Sequence, residues 1–98
     1  DKYLKSPFVQ RLPEPLRASL EESLGAVQCE QGRCQEGVAH LQTAADLSPN
    51  DPELRTNLAH ALQAAGRPAE ARAELLHALA LAPDYPPARA ALAAMDGQ

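Results

Sequence analysis

The chain has 98 residues, enough for one domain at most. Its net charge of −4 leaves no basic stripe to neutralise phosphates, so a nucleic-acid partner is not expected. No run of about 18 apolar residues occurs, which argues against membrane insertion. With 3% aromatic residues and no tryptophan, any core must be built from alanine and leucine, which suits close-packed helices and suits sheets poorly. The chain begins at Asp1 with no visible signal peptide. It is expected to be a piece of a larger protein, so its start says nothing about compartment.

Residues 1–17 stand apart, with Pro7, Pro13 and Pro15 and two of the three aromatics, Tyr3 and Phe8. Ser6-Pro7 reads as a helix start that Pro13 would end. Phe8, Val9 and Leu12 are expected either to cap one side of the following helices or to dock on another copy. A first helix follows at 15–31. Leu16, Leu20, Leu24 and Val27 recur on its single apolar face, with Glu21 and Glu22 on its outer and inner sides. Gly32 breaks it. A second helix at 35–47 turns Val38, Leu41, Ala44 and Ala45 inward. Asp51 before Pro52 is a side-chain acceptor followed by a pre-set first turn, so a third helix starts there and runs to 65. It should bury Leu54, Leu58, Ala61 and Leu62. Arg67-Pro68 leads into a fourth helix at 69–81 that buries Ala71, Leu75, Ala78 and Leu79. After a proline-rich turn, a fifth helix occupies 87–95.

These elements repeat. An offset of 34 residues carries Gly32-Arg33 onto Gly66-Arg67, and likewise Leu24 onto Leu58, Glu36 onto Glu70 and Leu41 onto Leu75. The same offset carries Ala44 onto Ala78, Leu47 onto Leu81 and Pro49 onto Pro83. A period near 34 signals stacked helical hairpins, because one hairpin cannot cover both its faces alone. The glycines reverse the chain, and the prolines end the second helix of each pair. Small residues, Gly25 and Ala59, then Gly37 and Ala71, then Ala44 and Ala78, fall where helices must cross closely.

The pattern closely resembles the tetratricopeptide repeat family, most strongly at Leu58-Ala59, Gly66-Arg67, Ala71, Leu75, Ala78 and Pro83. The resemblance covers 18–51 and 52–85, with 86–98 as a capping helix or the first helix of a third unit. It implies an all-α fold, a right-handed superhelical array of antiparallel helix hairpins. The family favours bulky aromatics where Glu21, Arg55, Gln28 and Leu62 stand here, a departure read as tolerated variation.

For function the resemblance implies binding of another polypeptide in an inner groove lined by the first helix of each unit. Ser19, Glu22, Ser23, Ala26, Cys29 and Glu30 are expected to line it from one unit, and Glu53, Thr56, Asn57, His60, Gln63 and Ala64 from the next. Asn57 matches the asparagine with which many members bond a ligand's backbone, and an amide that donates and accepts at once suits a peptide bond. Members that capture the acidic C-termini of heat-shock chaperones use a basic clamp. Glu22, Ala26, Pro87 and Ala91 stand at those places, so chaperone tails are not expected.

Chemistry beyond binding finds little footing. His40, His60 and His77 fall in no zinc spacing, so no metal is expected. A Cys29–His60 pair lacks an orienting acid, and no glycine-rich phosphate loop is present, so neither a cofactor nor an enzyme is expected. Cys29 and Cys34 flank Gly32. They are either a bridge, which requires α-carbons within about 7 Å, or two free thiols. A bridge would favour a secreted or periplasmic setting; otherwise the cytoplasm is slightly favoured.

The leading reading is a protein-interaction scaffold, part of a larger protein or complex. The alternatives are a self-associating structural module and an accessory domain of an enzyme whose catalytic part lies elsewhere. Two units and one helix fall short of a continuous core. The fifth helix is apolar nearly all round, so a homo-oligomer is expected through Leu92, Ala93 and Met95, with Phe8 contributing.

Overall fold

The computed structural model describes residues 13–97, and every regular element among them is a helix. The helices are α1 (Glu14–Glu30), α2 (Cys34–Leu47), α3 (Pro52–Ala64), α4 (Pro68–Leu81) and α5 (Pro86–Asp96). α1 pairs with α2 and α3 with α4 as hairpins, while α2 lies against α3 and α4 against α5. α1 also touches α3, and α3 touches α5, so the first helices of successive hairpins form one layer. The result is a slab of 44 × 27 × 16 Å, the expected hairpin array. The helix read at Ser6-Pro7, and Phe8, Val9 and Leu12, lie outside the described residues. α1 begins at Glu14, one residue before the expected start, and so overlaps the end of the 1–17 segment.

Starts and stops follow from local chemistry. Asp51 Oδ1 accepts from the backbone N–H of Glu53 at 3.0 Å and of Leu54 at 3.4 Å, which caps α3. Both hairpins turn the same way. Gly32 and Gly66 have φ of 80° and 81°, the left-handed region that glycine enters without strain. The N–H of Arg33 then donates to Gln28 O, and that of Arg67 to Leu62 O, each at 2.8 Å. Those bonds satisfy a carbonyl that the helix end would otherwise orphan. Arg33–Glu36 and Arg67–Glu70 follow each turn as exposed ion pairs of 2.6 Å. Hydrogen bonds from Arg67 hold Glu70 below the usual carboxylate range. In water such pairs add little stability.

The first turn carries an extra fastening. Cys29 and Cys34 form a disulfide with α-carbons 3.9 Å apart, which decides between bridge and free thiols. The corresponding residues of the second hairpin are Gln63 and Pro68. A loop this short loses little chain entropy on closure, so a double Cys29→Ser/Cys34→Ser variant is expected to lose at most about 2 kcal/mol. Thermal unfolding followed by circular dichroism should show the full helical signal with a modestly lowered midpoint. Failure to fold would mean that the glycine turn cannot hold the hairpin alone.

The core is alanine and leucine, as composition required. Val38, Leu41, Ala45, Leu58, Leu62, Ala71, Leu75 and Ala78 join in one buried cluster. The inward residues expected on α2 and α3 are all buried. On α4, Ala71, Leu75 and Ala78 are buried and Leu79 is half-buried. α1 departs from its expected face. Its buried line is Ala18, Glu21 and Gly25, while Leu16 and Val27 are exposed and Leu20 and Leu24 half-buried. The reason is position. α3 is covered on one side by α2 and on the other by α4, whereas α1 lies at the end of the described array with α2 as its main neighbour.

Glu21, expected on the outside, is instead buried and hydrogen-bonded to His40 Nδ1 at 2.9 Å. One unit on, Arg55 is buried and Arg55 Nη1 donates to Glu74 at 3.1 Å. Glu21 and Arg55 share a repeat position, as do His40 and Glu74. Two of the four places where the family favours aromatics, Glu21 and Arg55, are therefore inter-helix polar clasps of opposite sense, while Leu62 packs in the apolar core. Reading Glu21 and Arg55 as tolerated variation missed that each acquires a partner, which burial of a charged group demands.

At the other end, Leu92 and Met95 turn inward and pack half-buried on the core, with Ala88 fully buried. Arg72 of α4 pairs with Asp96 at the end of α5. Of the three α5 residues read as an association surface, Ala93 alone is exposed, between Ala90 and Ala94. Leu92→Glu is accordingly expected to lower the unfolding midpoint of the monomer. A loss of oligomer in sedimentation with unchanged stability would instead return Leu92 to an intermolecular contact.

Candidate functional site

The layer of first helices holds a cleft of about 400 Å³ between α1 and α3. Its floor is apolar, made by Ala26 and Cys29 of α1, Leu41 of α2 and Ala61 of α3. Its rim is polar, with Glu22 and Glu30 on the α1 side and Asn57 and His60 on the α3 side. The volume comes from small side chains. Ala26 and Ala61 leave room that larger residues would fill, and Leu41 reaches under them from the second layer. A concave apolar floor with a few polar groups at its edge is the usual form of a ligand site.

Two helices from different repeats build this site, and one bond fixes their register. Asn57 Nδ2 donates to Glu22 Oε2 at 2.7 Å. The amide expected to greet a ligand with both ends is thus committed at its donor end to the neighbouring repeat. Its carbonyl oxygen remains as an acceptor. A neutral donor thus holds the Glu22 carboxylate in place.

Of the expected lining residues, the fold brings together Glu22, Ala26, Asn57 and His60, along with Cys29 and Glu30. Ser19 and Ser23 on α1, and Glu53, Gln63 and Ala64 on α3, are exposed but stand outside the cleft. Thr56 is a correction. It is 3% exposed, and its hydroxyl donates to the carbonyl of Pro52 at 2.8 Å, so it meets no partner. The hydroxyl satisfies itself on its own helix, as threonine often does. Leu41 and Ala61 were read as core alone. They are buried and also form the cleft floor, a double role that periodicity does not reveal.

The electrostatics of the layer are acidic. Burial, with the carboxylates of Glu53 and Asp51, pushes the Tyr85 hydroxyl above its ordinary value. Among the described residues, no lysine or arginine lines the cleft. Cys29 is bonded to Cys34, so it is not available to His60 as a metal ligand or nucleophile.

Comparison with known proteins agrees with this architecture. No curated protein matches the chain. A family model described as tetratricopeptide repeat matches residues 29–95, a stretch that includes both glycine turns and α2 to α4 entire. The match covers more than half of the sequence and takes in the whole of the second hairpin, so the chain belongs to the tetratricopeptide repeat family.

Proposed function

We propose that this domain is a protein-interaction module that receives a peptide segment of its partner in the cleft between α1 and α3. Repeats of this family generally mediate protein–protein interaction. The observation that carries the finer reading is the preformed cleft, apolar below and polar at the rim, shared by two repeats. A segment lying there would bury an apolar side chain on Ala26, Leu41 and Ala61. It would offer a backbone N–H to the carbonyl end of Asn57. The module is non-catalytic in this reading, since Cys29, the one candidate nucleophile beside His60, is spent in the disulfide. That bridge also favours an oxidising compartment, secreted or periplasmic. The rim carries carboxylates and no basic clamp, which disfavours the acidic tails of heat-shock chaperones.

The test is selection of peptides from a displayed random library, with Ala26→Trp as the counter-selecting protein. Ala26 is exposed, so an indole there fills the cleft without entering the core. Peptides should be recovered that bind the natural protein and not the variant. Asn57→Ala should weaken them by about 1–3 kcal/mol, the cost of an unmet buried hydrogen bond. Peptides that bind both proteins equally would move the site away from this cleft.

A further inference from the structure

We propose that the segment taken by this cleft is basic, with two lysine or arginine residues flanking an apolar one in the order basic-x-apolar-x-basic along an extended chain. This rests on the peptide-binding reading above and specifies its ligand.

Charge is left over at the mouth of the cleft. Among the described residues, four arginines of the surface are matched, Arg33 with Glu36, Arg67 with Glu70, Arg72 with Asp96 and Arg89 with Asp84, while Arg17, which does not line the cleft, forms no ion pair. Arg55 is matched internally with Glu74. Glu22 and Glu30 have no such cation among the described residues, and both stand at the mouth of an apolar cleft. A low-dielectric wall beside a carboxylate strengthens its field toward an arriving cation. The Asn57 amide fixes Glu22 in place without cancelling its charge.

The spacing of the two carboxylates suits an extended chain. Glu22, Ala26 and Glu30 succeed one another at four-residue steps on α1, so they share one face of the helix. Eight residues of helix separate the two carboxylates by about 12 Å. An extended chain shows every second side chain to one face, and residues four apart are about 13 Å distant. Two basic side chains so placed meet Glu22 and Glu30 together. The residue midway between them then points at Ala26, where the wall is smallest and the floor is Leu41 and Ala61. The acid-small-acid face of α1 is therefore the complement of a basic-apolar-basic segment. An acidic segment of the same shape would be repelled at both ends.

The experiment titrates three short labelled peptides, alike except at the flanking positions, which are lysine, glutamine or glutamate around a central leucine. Binding is followed by fluorescence anisotropy at low and high salt. The lysine peptide is expected to bind about tenfold more tightly than the glutamine peptide, from two partly exposed ion pairs. That advantage should shrink in high salt. It should also vanish for a Glu22→Gln/Glu30→Gln protein, whose new amide oxygen can still accept from Asn57 and whose folding is checked by circular dichroism. Ala26→Trp should abolish binding of all three. If the glutamine peptide binds as tightly as the lysine peptide and Ala26→Trp still blocks both, the basic preference is overturned while the peptide-binding reading stands. Undiminished lysine-peptide binding to the double glutamine variant likewise overturns it. If no peptide binds, or Ala26→Trp changes nothing, both readings fall together.

Discussion

Leu58→Ala is expected to destabilise this protein by about 2–5 kcal/mol, the range for emptying a leucine site in a packed core. Leu58 is fully buried, one of the two largest side chains that are. It belongs to the buried cluster that joins residues of both hairpins, so its truncation empties the shared core. The informative control is Leu24→Ala. Leu24 occupies the same repeat position one unit earlier, yet it is only half-buried because no described helix covers that side of α1. Its truncation should cost about 1 kcal/mol, in proportion to the apolar area it hides. Urea unfolding of both variants measures the difference. Equal losses would mean that the outer side of α1 is covered after all, and the account of its exposed stripe would fail.

The second large effect is expected at the crossing of α1 and α2. A Cβ added at Gly37 would stand 2.5 Å from the carbonyl oxygen of Gly25, and one added at Gly25 would stand 2.8 Å from that of Gly37. Neither carbonyl can swing aside, since both belong to helix backbone. Gly37→Ala must therefore drive the helices apart, against the grip of the Cys29–Cys34 bridge at the adjoining turn. Such overpacking costs about 3 kcal/mol or more, against about 1 kcal/mol gained from the better helix propensity of alanine. A net loss of about 2 kcal/mol is expected, visible as a lower denaturation midpoint, and Gly37→Val should be worse. The second hairpin carries Ala59 and Ala71 at the same positions, both buried. The first hairpin is thus the more tightly pinched of the two. A neutral or stabilising Gly37→Ala would show that the crossing can relax, and that helix propensity decides there.

Part of this was legible in the residues themselves. Gly32 and Gly66, Pro49 and Pro83, and the paired leucines repeat at one offset, and each type has a local reason for its place. Helix ends are local events, satisfied within a few residues, so the sequence alone could locate them to within about a residue or two. The small residues also announced the close crossings before any distance was known. What periodicity could not supply was coverage. The stripe of Leu16, Leu20, Leu24 and Val27 is as regular as the one that includes Leu58, yet it meets little, because burial depends on which neighbour stands alongside.

The candidate site divides along the same line. Glu22, Ala26, Asn57 and His60 could be placed on the inner layer from helical phase, since phase is a property of one helix. Thr56 has a neighbouring phase, yet it is buried and its hydroxyl bonds the carbonyl of Pro52 on its own helix. The bond between Asn57 and Glu22 joins residues 35 apart in the chain. So too, Glu21 finds His40 and Arg55 finds Glu74, 19 residues away in each case. By itself, then, the sequence determined the helices, their turns, their period and the family scaffold, because those rest on contacts made within a turn or between identical repeats. Only the tertiary structure decided which charged residues became internal clasps, which apolar stripe stayed exposed, and where two repeats leave a cleft. Those depend on the distance between helices, which is set by side-chain volumes contributed from both partners at once.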